Sequence, residues 1–292
     1  MRQIKIGTCI PGTMVEAMLP HIIKAGFETI SINFHMSLEG VDLAELAKKT
    51  KEIIGDSGVE VTTLGFYCNP LQYEDHKKDL EYCIATAPQF GASVVSTFAG
   101  ALEGKKVEES IPVFGRVFGD LAKKAEANHI KIGIENCPMG GTWNHATCNI
   151  GFNPRAWEMM FNEVPAENLG LEWEPTHQMV QLIDPLPQLK QWMKKIVHIH
   201  GKDATIDWDA IRRYGIYEAA DFVYHRTPGF GDNNWRDIIS ILHMGGYEGD
   251  ICIEGYHDPI YHDDWEMTAQ LHALNYLKWC RGGKFVQNPW EK

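Results

Sequence analysis

Four short β-rich runs of this 292-residue chain close on residues that bind metal ions or move protons: IKIGIE (130–135), NLGLEWE (168–174), IVHIHGKD (196–203) and DICIE (250–254). Successive side chains of a strand point to opposite faces, so the apolar series in each run fixes where the others go. Ile132 and Ile134 leave Gly133 and Glu135 on the other face. Leu169, Leu171 and Trp173 leave Glu172 and Glu174. Val197 and Ile199 leave His198 and His200, and Ile251 and Ile253 leave Cys252 and Glu254. If the runs are adjacent strands, each delivers an acid or imidazole to one place. Three crowded carboxylates repel and raise one another's pKa unless a cation lies among them. Glu135, Glu174, His200 and Glu254 are an oxygen and nitrogen set suited to Mn²⁺ or Mg²⁺, with Co²⁺ and Zn²⁺ also admissible. Glu172 and His198, one inward step deeper, read as interior groups, His198 as one that orients a ligand.

Such a set needs a repeating frame to hold it. β-rich runs at 4–10, 28–34, 59–66, 92–100, 130–136, 168–174, 196–203 and 250–256 are each followed by helical patterning. Asn153 and Pro154 suit the cap and first turn of the fifth helix. The helix after the sixth run is expected near 187–195, and a longer loop separates the seventh run from its helix in NNWRDIISILHMG. No linker or low-complexity tract interrupts the series. Alternating β and α implies a parallel sheet covered by helices. Eight units at this length predict an α/β fold, one (β/α)8 TIM barrel over residues 1–292 with a C-terminal tail from about 281. An open doubly wound sheet is the alternative, but the glycine-rich phosphate turn after its first strand is missing. The PGFGD stretch at 228–232 lies deep in a loop. TIM barrels build their active sites at the C-terminal strand ends, where the four acids and imidazoles lie.

A formal charge of −12 disfavours a broad surface for nucleic acid or anionic membrane, both of which reward clustered Lys and Arg. The seven scattered cysteines form no CxxC pair and read as reduced thiols of a cytoplasmic protein. MRQIKIGTCIPGTM lacks a signal-peptide core, and no apolar run nears the roughly 20 residues that span a bilayer. The expected partner is a small molecule, and a homo-oligomer is compatible with the composition. Among lesser motifs, HATC (145–148) offers only two ligands. HDPIYHDD (257–264) reads as a solvated loop before the last helix, and Glu74 to Asp79 as an exposed helix start.

IKIGIENCP, LGLEWEPTH, VHIHGKDA, RTPGFGDNNW and DICIEGYHDP, in that order, resemble the sugar phosphate isomerase/epimerase family of xylose isomerase-like TIM barrels over about residues 130–260. The resemblance implies a divalent metal held by an acid on the fifth, sixth and eighth strands and a histidine on the seventh. Those positions are Glu135, Glu174, Glu254 and His200, the set that strand parity selects. One motif departs. The family's sixth strand usually ends Asp-Pro-x-His, and here it ends Glu174-Pro175-Thr176-His177. The extra methylene should displace the carboxylate or the ion. His177 matches the family's substrate-side histidine.

The implied activity is isomerisation or epimerisation of a sugar, sugar phosphate or keto-sugar. A divalent ion chelates the carbonyl and neighbouring hydroxyl and stabilises the enediolate formed when a carbon-bound proton leaves. Glu135 and Glu254 are the expected proton carriers. His177, His145 and Lys202 are candidates to bind sugar hydroxyls and Arg226 to hold an anionic group such as phosphate. Trp143, Phe66, Tyr67 and Trp173 would pack or supply apolar walls. The nearest alternative is a lyase eliminating from a keto-inositol or keto-glycoside, because the first step is shared. An endonuclease IV-type enzyme would need a richer His/Asp set and a basic face. A non-catalytic binding subunit would not need all four ligands.

Overall fold

The computed structural model describes residues 3–217, 221–283 and 286–290. Among these described residues ten strands form: β1 (Lys5–Pro11), β2 (Thr29–His35), β3 (Glu60–Tyr67), β4 (Val94–Thr97), β5 (Lys131–Glu135), β6 (Leu169–Trp173), β7 (Ile196–Gly201), β8 (Asp203–Ile206), β9 (Val223–Arg226) and β10 (Asp250–Ile253). Eight of them close a parallel barrel in the order β1-β10-β7-β6-β5-β4-β3-β2, and β8 pairs with β9 in a separate antiparallel hairpin. The expected (β/α)8 architecture is present, with β10 as its eighth strand.

The described residues also form ten α-helices between and after these strands: α1 (Val15–Ala25), α2 (Leu43–Ile54), α3 (Glu74–Phe90), α4 (Val107–Ala127), α5 (Pro154–Glu163), α6 (Pro175–Met179), α7 (Pro185–Trp192), α8 (Trp208–Tyr214), α9 (Trp235–Met244) and α10 (Glu266–Cys280). Short polar residues start many of them. Asn153 accepts from the Ala156 amide with Pro154 in the first turn of α5, as expected, and Asp42, Asp184, Asp207 and Asn234 cap α2, α7, α8 and α9 the same way. Outward strand residues such as Ile132, Ile134, Leu169, Leu171, Ile199, Ile251 and Ile253 are buried in one core that continues into the helices. Burial of this apolar surface is the main force holding helices to barrel. At Gly170 a Cβ would collide with the Lys195 carbonyl, so only glycine lets β6 run this close to the turn before β7.

Two insertions were not foreseen. A short helix, α6, follows β6 immediately, started by Pro175. The long loop after β7 contains the β8–β9 hairpin and α8. The hairpin is secured by Asp203, whose carboxylate accepts from the amides of Ala204, Gly229 and Asn233, from Asn233 Nδ2 and from Trp235 Nε1. The tail begins after α10 with Arg281, which donates to the Ile4 carbonyl and pairs with Glu28. Residues 284–285 and 291–292 of the expected tail lie outside the described residues. Among the described residues no helix is long and apolar enough to cross a membrane.

Candidate metal centre

Glu135 ends β5, Glu174 follows β6, His200 lies on β7 and Glu254 follows β10, so consecutive barrel strands present the four residues at their C-terminal ends. One donor atom from each lies within 4.8 Å of the others. Three carboxylates converge on one nitrogen: His200 Nδ1 is 3.0 Å from Glu135 Oε1, 3.1 Å from Glu254 Oε2 and 3.6 Å from Glu174 Oε2. The other ring nitrogen, Nε2, faces Tyr67 Oη at 3.2 Å and Glu172 Oε1 at 3.3 Å. Glu172 is fully buried. It accepts from Tyr67 Oη at 2.9 Å and lies 2.6 Å from His198 Nδ1.

Two asparagines fix the backbone around the acids. Asn136 accepts from the Glu174 amide at 2.7 Å and donates to the Glu174 carbonyl at 2.9 Å. Asn149 donates to the carbonyls of Glu135 and Cys137 and accepts from the amides of Ala99 and Gly151. Sequence reasoning passed over both. Their signal was an asparagine directly after the strand-ending Glu135, and another in the loop that follows.

The electrostatics are those of an acid cluster short of positive charge. Burial pushes Glu135 up to about 7 against the opposing pull of His200. Burial also pushes Glu174 up to about 8, with Lys202 opposing the rise and Glu254 adding to it. Burial works on Glu254 too, but the charges of Lys202 and His200 outweigh it and hold that carboxyl well below its usual range. His200 is held well above the usual imidazole range, the nearby Glu172 charge overcoming burial. Lys202 Nζ donates to Glu254 Oε1 at 3.1 Å and lies 3.7 Å from Glu174 Oε1. Even so, among the described residues both oxygens of Glu174 and Oε2 of Glu254 are buried without a hydrogen-bond partner. Buried, unpartnered carboxylate oxygens are costly, and an ion with oxygen or nitrogen bonds near 2.0–2.2 Å would satisfy them across a gap of this size. The residues present fit a divalent metal.

A cavity of about 590 Å³ opens over the cluster, with Glu135, His177, His200, Lys202 and Glu254 in its wall. His177 Nε2 lies 3.1 Å from Glu174 Oε1. The remaining expected binders are elsewhere. His145 is exposed on a turn and does not line the cavity, and Arg226 is occupied by Asp258, to whose Oδ2 its Nε donates at 3.2 Å. Among the named aromatics, Tyr67 reaches the cavity. Phe66 and Trp173 are core residues, and Trp143 packs over the first turn of α4, donating to Glu108. The HDPIYHDD stretch is more than a solvated loop: His257 lines the cavity, and buried Asp258 accepts from the amides of Thr227, Ile260 and Tyr261. His35, Phe98, His225 and Tyr256 also line it. They sit near strand ends and on the hairpin insertion; Tyr256 falls within DICIEGYHDP, and the other three lie outside the quoted motifs.

A family model described as xylose isomerase-like TIM barrel matches residues 20–278. A segment of 107 residues is 26% identical to inosose dehydratase of Clostridium tetani, covering 36% of this chain and 32% of that protein. The chain spans less than half the length of the curated relatives it matches. Among solved structures, a xylose isomerase domain protein from Planctomyces limnophilus superposes with a TM-score of 0.72 at 16% identity, covering 94% of this chain and 98% of that one. The apo form of 3-keto-D-glucoside 4-epimerase from E. coli superposes with a TM-score of 0.69 at 15% identity, covering 95% and 100%. At these identities the superpositions speak to the fold.

Proposed function

The chain belongs to the xylose isomerase-like TIM barrel family, and from that premise we propose that it is a divalent-metal-dependent sugar or keto-sugar isomerase or epimerase. The observation that carries this reading is the convergence of Glu135, Glu174 and Glu254 on His200 Nδ1 at the floor of the cavity. These four would hold the ion, Mn²⁺ or Mg²⁺ by the hardness of three carboxylates. When bound, it would polarise a substrate carbonyl and offset the charge that develops as a proton leaves the neighbouring carbon.

The protein's own groups handle that proton. Two carboxyls beside one substrate with separated proton affinities divide naturally into base and acid. Glu254, kept ionised by Lys202, suits abstraction from the carbon next to the carbonyl. Glu135, at about 7, suits return of a proton. Lys202 and His177, both facing the cavity beside Glu174, would bind hydroxyls and fix which carbon meets Glu254.

The test is a panel of keto and aldo sugars turned over in deuterium oxide by the Mn²⁺-loaded protein. Uptake of solvent deuterium next to the carbonyl supports the reading. Turnover with complete retention of the original hydrogen would indicate a hydride shift and remove Glu135 and Glu254 from these roles. A dehydratase is the second reading, favoured by the similarity to inosose dehydratase. It shares the abstraction step and is distinguished by a product lighter by one water.

A further inference from the structure

Three imidazoles adjoin the acid cluster in an unbroken row. His177, from α6, packs edge-to-face on His225, from β9, with ring centroids 5.8 Å apart. His225 packs in the same way on His257, from the loop after β10, at 5.7 Å. The ends of the row rest beside two of the acids: His177 Nε2 is 3.1 Å from Glu174 Oε1, and His257 Nδ1 is 3.9 Å from Glu254 Oε1. All three rings line the cavity. The middle ring reaches it only because the β8–β9 hairpin is there, and Asp203 and Asp258 hold the hairpin in place. Among the described residues, His225 Nδ1 is buried without a hydrogen-bond partner.

We propose that His225, presented by the β8–β9 hairpin between His177 and His257, is a specificity-determining residue that hydrogen-bonds a hydroxyl of an uncharged, unphosphorylated polyol or keto-sugar. This deepens the isomerase reading and rests on it for the place of the reacting carbon. Neutral imidazole carries one donor and one acceptor, the pairing a hydroxyl offers in return. Burial and the Lys202 charge keep the His225 ring neutral, at about 4. A phosphate would find poor company here. The cavity's cation among the described residues, Lys202, is already committed to Glu254 and Glu174, and Arg226 is committed to Asp258. Phe34, Phe98, Tyr67 and Tyr256 supply the apolar faces against which the C–H side of a sugar packs.

The experiment is calorimetric binding of free ketohexoses and inososes, each beside its phosphate ester, to Mn²⁺-loaded wild type, His225→Phe and His225→Asn. Metal content and melting temperature are measured alongside. The wild type should prefer the uncharged member of each pair. His225→Phe should weaken that binding roughly tenfold, the scale of one lost hydrogen bond with its partner left unsatisfied, at unchanged metal content. His225→Asn, which keeps a donor and an acceptor, should recover part of the loss. Equal affinity in His225→Phe would make His225 a structural wall, and preference for the phosphate esters, or no binding by any member, would overturn the ligand class. Binding that follows the prediction without solvent deuterium exchange would sink the proton-transfer reading and leave the subsite standing.

Discussion

Glu172 Oε1 lies 3.3 Å from His200 Nε2, on the side of the ring away from the three acids that converge on Nδ1. The same carboxylate also faces His198 and accepts from Tyr67, so it is held in place by both. Its charge holds the ring with Nδ1 turned toward Glu135, Glu174 and Glu254. An oriented ring is what a ligating imidazole requires, and a carboxylate behind it makes the ring a stronger donor.

Glu172→Gln should therefore keep the barrel and weaken metal binding by about 10- to 100-fold, the usual cost of losing such a supporting contact. Competition against a fluorescent chelator reads the affinity, and circular dichroism the fold. Wild-type affinity in this variant would show that Tyr67 alone fixes the ring.

Metal uptake should depend steeply on pH. Without metal, Glu135 holds its proton up to about 7 and Glu174 up to about 8, and His200 is protonated above its usual range. An entering ion must displace these protons, so affinity should rise with pH, by up to about three log units per pH unit below about 7, and less steeply above about 8, where both carboxyls have released theirs. Stability of the metal-free protein runs the other way. Between about 5 and 8 the native carboxyls keep protons that the unfolded chain has released, so their contribution falls as pH rises. Calorimetric titration from pH 5.5 to 8.5 reads the first effect, and melting with and without metal the second. An affinity flat across this range would contradict the assignment of Glu135 and Glu174 as ligands.

Asp203 should matter more for stability than for metal. Its buried carboxylate serves five donors from the loop, the hairpin and Trp235. Asp203→Ala orphans them, at about 1–3 kcal/mol for each that stays buried. A loss of about 3 kcal/mol or more is expected, seen as a fall in melting temperature of roughly 6 °C or more, with Asp203→Asn milder. A melting temperature within a degree of wild type would mean that the loop is held by other contacts.

The barrel was legible because its two periodicities are strong. Outward Ile, Leu and Val alternate along β5, β6, β7 and β10, and the inward acids followed by parity alone. The four-residue cluster needed no more than that. What stayed hidden depends on contacts between distant loops. Nothing in YHR (224–226) marks a strand, and it becomes one only by pairing with Asp203–Ile206. His225 and His257 are brought together by that pairing and by Asp258, which bridges Arg226 and the loop after β10. That Arg226 pairs with Asp258 and that His145 is exposed are features residue type alone does not encode.

Glu174 and His177 provide the closing test, because they separate holding the ion from holding the substrate. Glu174 stands where related motifs carry Asp, yet among the described residues neither of its buried oxygens accepts a hydrogen bond, and Asn136 clamps its backbone on both the amide and the carbonyl. With the backbone fixed, Glu174→Asp retracts the carboxylate by one methylene and should keep metal, with altered preference among Mn²⁺, Mg²⁺ and Co²⁺. Glu174→Ala removes a ligand and leaves the ion with less negative charge, so metal affinity should fall at least about 100-fold, beyond the cost of losing a supporting contact. His177→Ala should retain metal and lose substrate affinity or turnover, since its ring faces the cavity beside Glu174 and is not one of the four converging groups. Metal occupancy and steady-state kinetics on the three variants decide it. If Glu174→Ala kept metal and activity while Glu172→Ala lost both, the sixth-strand ligand would be Glu172, and the unpartnered oxygens of Glu174 would need another explanation.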